Sequence, residues 1–200
     1  MAVLKLDLSV PVRAPLVILF AETRGYTRMS EKLKPSVVLA HAAEFFALVS
    51  AAVERHAGTV SNLFNDTLAA TFAVEGSARL AAQAAQEILR DFGSLAEAWE
   101  RDCGIHAAVA MGLHRGDAVI GRADGALFKQ PLIVGDSVSI AERLLHRARA
   151  GELLLSKAVM DALAAARFAI ETEEVPPLQL PRRESIQVYG VLLDRRLDFT

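Results

Sequence analysis

The chain has 200 residues and a single cysteine, Cys103. One thiol can neither close an internal disulfide nor build a zinc cluster, and it fits a reducing cytosol. Charge of one sign is not in excess either: Lys plus Arg number 22, Asp plus Glu 24, and the net charge is −2. A nucleic-acid binder usually shows a basic excess or stripe, so DNA and RNA are not expected as partners. There is no internal repeat, no low-complexity run and no Gly/Ser linker. A signal peptide is not expected, because Lys5 and Asp7 interrupt the apolar stretch at the N-terminus. The longest apolar region, Ser36 to Val53, is broken by His41 and Glu44 and striped at helical spacing. It reads as a buried helix rather than a membrane span. Walker and Rossmann glycine patterns are absent as well. These absences lead to the expectation of a cytoplasmic protein without membrane contact.

What is present is core material. Apolar residues make up 52% of the chain, which excludes disorder as the main state. The length fits one domain, and such a chain can bury about two thirds of its extended surface.

Leu16 to Ala21 is a continuous apolar run that reads as a central strand. Glu31 to Leu33 reads as a helical turn. Pro35 then opens a helix to about His56, with Val38, Ala42, Phe45, Val49 and Ala52 on one face. Thr59 to Phe64 and Thr67 to Val74 read as strands around an Asn65-Asp66 turn. A long helix is expected from Ser77 to about Arg101. Strands are expected at Ile105 to Leu113 and Ala118 to Arg122, joined by a turn at Arg115-Gly116-Asp117. Leu132 to Val134 reads as a short strand, followed by a helix from Gly135 to about His146. Strands at Glu152 to Leu155, Phe168 to Thr172 and Ser185 to Leu193, with a helix at Ala158 to Ala165, complete the order. Pro176, Pro177 and Pro181 mark a late loop. The economical architecture is α/β (α+β): a mixed sheet with helices packed against it.

Two acidic residues sit at the ends of apolar segments, Glu22 after the first strand and Asp66 in the hairpin turn. If those strands are neighbours, the carboxylates converge, which is what divalent metals holding substrate phosphates require. The other reading is a turn Asp and a strand-end Glu in solvent. Thr23 to Thr27 forms a Gly-containing turn before a helical segment, and such turns present backbone N–H groups to anions. Ser139 and Arg143 are four apart and share a helix face. Arg143 can clamp a phosphate or pair with Glu142 or another surface carboxylate. The five histidines show no ligand spacing, and no Ser/His/Asp or Cys/His pairing stands out.

The stretch Val17-Ile18-Leu19-Phe20-Ala21-Glu22-Thr23-Arg24-Gly25-Tyr26-Thr27-Arg28-Met29-Ser30-Glu31 resembles the opening of class III adenylate/guanylate (nucleotidyl) cyclase catalytic domains, roughly V-x-L-F-A-D-I-R-G-F-T-x-L-S-E. Further segments match in order. They are His56 to Val60 with Asp66 and Leu68 to Phe72, Gly112 to Gly116 with Val119 to Gly121, Gly135 to Val138 with Ala141 and Arg143-Leu144, Gly151 to Ser156, and Val188-Tyr189. The resemblance implies one cyclase-homology domain over 1–200, with 1–15 as an N-terminal extension and 16–192 matching the family.

It further implies a ferredoxin-like cyclase fold working as a head-to-tail homodimer, or as half of a heterodimer. The reaction converts a nucleoside triphosphate to a 3′,5′-cyclic nucleotide and pyrophosphate in intracellular signalling, with two divalent metal ions (Mg or Mn). By this resemblance Glu22, Thr23 and Asp66 hold metal, and Gly25, Tyr26, Thr27 and Arg149 contact phosphates. Asn62 and Leu132 stand where the base is selected, and Ser139 and Arg143 serve the transition state. Glu22 replaces an aspartate, Asn62 a lysine, Leu132 an Asp/Thr partner and Ser139 an asparagine. Those departures imply unusual or weak base selectivity. They also leave open the alternative of an inactive cyclase-homology domain that binds a nucleotide or a protein partner.

Overall fold

The computed structural model describes residues 11–121, 132–182 and 184–192. The expected N-terminal extension as far as residue 10, and the expected strand ends at Arg122 and Leu193, lie outside them.

Leu16, Val17, Ile18 and Leu19 are all essentially buried, which requires cover on both faces of their strand. Strand β1 (Val12–Arg24) lies mid-sheet, antiparallel to β3 (Thr67–Phe72) on one side and to β4 (Ala108–Gly121) on the other. β2 (Thr59–Phe64) flanks β3, and β5 (Leu132–Val134) pairs with the end of β4. Beyond β4 come β6 (Glu152–Ser156), β8 (Ile186–Leu192) and β7 (Glu173–Leu178), so the order is β2-β3-β1-β4-β6-β8-β7. Among the described residues only the β4–β6 pairing is parallel, which makes the sheet mixed.

Side chains alternate across a strand, and β1 obeys this. Val17, Leu19 and Ala21 join one core cluster with α2 (Pro35–Arg55), α3 (Ser77–Cys103) and α5 (Lys157–Ala165). Leu16, Ile18 and Phe20 turn to the other face, which α4 (Asp136–Arg147) covers through Ile140, Ala141, Leu144 and Leu145. A strand covered on both sides reads as an unbroken apolar run. Helix α2 is buried along Val38, Phe45, Val49, Ala52 and Val53. The expectation of a buried helix holds for that face alone, since Leu39 is 71% exposed.

Three sequence expectations are corrected. The turn at Arg115-Gly116-Asp117 does not form; β4 runs through it, because β1 pairs with it continuously from Arg24↔Ala108 to Val12↔Ile120. Phe168 to Thr172 is not a strand. Phe168 and Ile170 pack on the core without pairing, and the ladder to β8 begins at Glu173↔Gly190. Pro176 and Pro177 lie within β7 rather than in a loop. That strand is at the sheet edge with a register shift between Val175 and Leu178, the setting in which a strand tolerates proline. The early helical turn is α1 (Tyr26–Lys32), longer than expected at its start.

Candidate active site

Residues of like parity on β1 share a face, so Glu22 and Arg24 continue the α4-facing row of Leu16, Ile18 and Phe20. Glu22 stands opposite Thr67, the first residue of β3. The β2–β3 turn is the expected two-residue Asn65-Asp66 turn, with Asn65 at φ +51°. The Thr23 N–H donates to the Asp66 carbonyl at 3.2 Å, tying the turn to the end of β1. Glu22 and Asp66 are therefore neighbours at one end of the sheet. Thr23 itself is buried and on the opposite face of β1.

Both carboxyl groups are pushed above their ordinary pKa values. For Glu22 burial is the main cause and the Asp66 charge adds to it, while Arg24, His146 and a hydrogen bond from Thr67 pull it back. For Asp66 burial dominates against its own backbone N–H and the Arg24 charge. Two partly desolvated carboxylates that repel each other form a hard-oxygen donor set suited to a divalent cation. Glu22 and Asp66 thus fit the metal ions that the family resemblance implies. Among the described residues, no three His, Cys, Asp or Glu side chains gather into a metal site of their own.

The cation nearest Glu22 is Arg24. Its Nη1 pairs with the Glu22 carboxylate, and its Nη2 donates to the carbonyls of Leu145 at 2.8 Å and Ala148 at 3.0 Å. Those carbonyls close the last turn of α4, where the helix dipole concentrates negative charge; the Leu145 carbonyl also accepts from the Ala148 N–H at 3.0 Å. Helix α4 can lie this close because Gly112 has no side chain: a Cβ there would meet Ala141 O and Leu145 N at 2.4 Å. At its other end, Ser137 Oγ donates to the Asp117 carbonyl at 2.8 Å.

Between the hairpin and α4 lies a cleft of about 380 Å³. It is lined by Phe20, Asn62 and Asp66 on one side and by Glu142, Leu145 and His146 on the other. The structure thus brings Glu22, Asp66 and Asn62 to one end of the sheet. Ser139 and Arg143 share the exposed side of α4, outside the cleft lining. The possible pairing of Arg143 with a surface carboxylate does not occur among the described residues. Gly25, at φ +98°, caps α1, and Tyr26 and Thr27 open that helix. Arg149 lies in the α4–β6 connection, where its backbone N–H donates to Glu152 Oε2 at 2.7 Å. Leu132 pairs with Gly121, at the opposite end of the β1–β4 ladder from Glu22, and is 45% exposed.

Several features had no signal in the sequence. The grip of Arg24 on α4 joins residues 121 and 124 positions apart. Glu142 and His146 line the cleft. The Cys103 Sγ is 3.6 Å from His41 Nε2, while His41 Nδ1 is 3.2 Å from Glu44 Oε2, which also accepts a bond from Trp99 Nε1 at 2.7 Å. This cluster fastens α2 to α3.

A family model that spans nearly all of the described residues gives the class of protein: a class III nucleotidyl cyclase domain. The chain belongs to the family described as adenylate and guanylate cyclase catalytic domain, which matches residues 11–192. It is 25% identical over 183 residues to an adenylate cyclase of Anabaena cylindrica, an alignment covering 88% of this chain and 36% of that relative. The chain thus spans about a third of that curated relative, and a fifth of a second one. Among solved structures, the adenylyl cyclase CyaB from P. aeruginosa superposes with a TM-score of 0.83 at 20% identity, covering 94% of this chain and 98% of that one. The guanylyl cyclase Cya2 gives 0.79 at 20% identity, covering 94% and 96%. Both likenesses are in fold, and one is to an adenylyl and the other to a guanylyl cyclase.

Proposed function

We propose that this chain is a catalytic domain that cyclises a nucleoside triphosphate, in the cytoplasm, as a head-to-tail dimer. The observation that carries the reading is the pairing of Glu22 with Asp66, two partly buried carboxylates at one end of the sheet. In the reaction the ribose 3′-OH loses its proton and its oxygen bonds to the α-phosphorus, while the bond to pyrophosphate breaks. Two divalent ions, when bound, lower the barrier by activating the hydroxyl and neutralising phosphate charge. Glu22 and Asp66 would hold them, with Thr23 next to Glu22 in the chain. Arg143 clamps phosphate oxygens in the transition state and Ser139 donates a hydrogen bond there. The turn at Gly25, Tyr26 and Thr27 and the cation of Arg149 contact the phosphates. Asn62 offers one donor–acceptor pair to the base, and Leu132 offers apolar contact.

The dimer is supported by what one chain leaves apart. Ser139 and Arg143 lie outside the cleft, and Leu132 is at the far end of the ladder from the carboxylates. A second copy turned head to tail supplies the missing half to each site. Leu63, Phe64, Leu132 and Val134 are exposed apolar side chains at 44–70%, suited to such an interface.

The test is to offer ATP, GTP, CTP and UTP separately to the purified chain with manganese and to seek cyclic products by mass spectrometry. The reading expects a cyclic product that is lost in Asp66→Asn. A second reading, nucleotide binding without turnover, draws on the ion pair between Arg24 and Glu22; it expects saturable binding and no cyclic product.

A further inference from the structure

We infer that Arg24 is an internal counter-cation for the metal site, occupying Glu22 in competition with the metal and latching the last turn of α4 to the same carboxylate. The inference rests on the metal reading of Glu22 and Asp66 and adds a residue to which that reading gives no role.

Three observations carry it. Glu22 and Arg24 are two apart on β1, so both project toward α4. The guanidinium is shared between the Glu22 carboxylate and the carbonyls of Leu145 and Ala148, a fork that a lysine ammonium cannot reproduce. The pair is largely withdrawn from water, with side-chain exposures of 27% for Arg24 and 16% for Glu22, where charges act on one another more strongly than at the surface.

A divalent ion placed on Glu22 and Asp66 stands beside the guanidinium and repels it. The two cations therefore compete for one carboxylate. When the metal is bound, the Arg24 charge is left to the α4 carbonyls alone. When it is absent, the guanidinium stays on Glu22 and holds the carboxylate in place against α4. Metal occupancy and the tightness of the last α4 turn are thereby linked, and α4 is the helix that carries Ser139 and Arg143.

The experiment compares wild type, Arg24→Gln and Arg24→Lys without nucleotide. Manganese binding is followed by the paramagnetic resonance signal of the free ion, and amide hydrogen exchange is read across 144–148. Arg24→Gln, which removes the competing charge, is expected to bind manganese at least fivefold more tightly and to exchange faster at those amides. Arg24→Lys keeps the charge and loses the fork, so its affinity stays within about twofold of wild type while exchange still accelerates. In wild type, manganese alone shifts exchange at the same amides, a readout that needs no variant to fold. Equal or weaker manganese binding by Arg24→Gln, or wild-type exchange indifferent to manganese that does bind, overturns the role of Arg24 and leaves the metal site standing. No manganese binding by any of the three overturns the metal site, and this role with it.

Discussion

His114 Nδ1 lies 2.8 Å from Ser156 Oγ, a buried hydrogen bond that joins β4 to the end of β6. Burial holds the imidazole well below its ordinary pKa, at about 4, against a small opposing pull from Asp136. His114 is therefore neutral in the folded protein at physiological pH. The unfolded chain takes up a proton near the ordinary histidine value, and the folded one does so only near 4. The contribution of His114 to stability is thus constant above that ordinary value, falls as the pH drops through the interval, and levels off below it. The loss across the interval is about 3 kcal/mol. In His114→Asn the decline is expected to be much shallower, as checked by urea denaturation at a series of pH values.

Glycines 112 and 93 are expected to respond in opposite directions to alanine. A Cβ at Gly112 meets α4 backbone atoms at 2.4 Å, whereas one at Gly93, within α3, meets nothing within 4 Å. Gly112→Ala forces α4 away from the sheet and is expected to cost about 1–3 kcal/mol. Gly93→Ala is expected to stabilise by about 0.5–1 kcal/mol, through helix propensity alone. Chemical denaturation of both variants decides it.

Asp66→Asn is expected to melt higher than wild type while losing manganese binding. Burial raises the Asp66 pKa, so the folded state holds its proton to higher pH than the unfolded one. The contribution of Asp66 to stability therefore falls as pH rises through that window, and the ionised group is a burden above it. The asparagine lacks this penalty. A gain of about 1–3 °C is expected at pH 8, shrinking toward acid, and is measured by thermal melts in metal-free buffer.

Nucleotide discrimination is expected to be weak. Leu132 has no polar group to leave unpaired, and apolar pockets separate substrates only about 10–200-fold. Titrating the four triphosphates in manganese should give affinities within that range. A thousandfold preference for one base would place selectivity elsewhere, with Glu142 and His146 of the cleft as the first candidates. If none binds, Glu22→Asp combined with Ser139→Asn is the rescue to try.

Local patterns in the chain show most of the elements. The run at Leu16 to Ala21 is readable because both faces of β1 are covered, and Asn65-Asp66 because a tight turn needs a residue that accepts positive φ. The failures are places where distant pairing overrides a local signal. Arg115-Gly116-Asp117 looks like a turn, yet β1 holds it straight. Phe168 to Thr172 has the composition of a strand, but among the described residues no strand pairs with it before Glu173. The motif carried Glu22, Asp66 and Arg143 as candidates. The hold of Arg24 on α4 was invisible because it depends on a helix more than a hundred residues away.

The alternation of β1 also constrains how this domain can change. Glu22 and Arg24 are in phase with Leu16, Ile18 and Phe20, so their direction is fixed by the same pleat that sorts the core. Substitution can alter which acid or base stands there. A one-residue insertion or deletion between Ile18 and Glu22 cannot be absorbed so easily, because it turns the carboxylate toward α2 and α3 and sends an apolar side chain into the cleft. The reading frame of the core and that of the chemistry are one and the same, and a lineage carrying this strand can vary the identity of its ligands far more readily than their spacing.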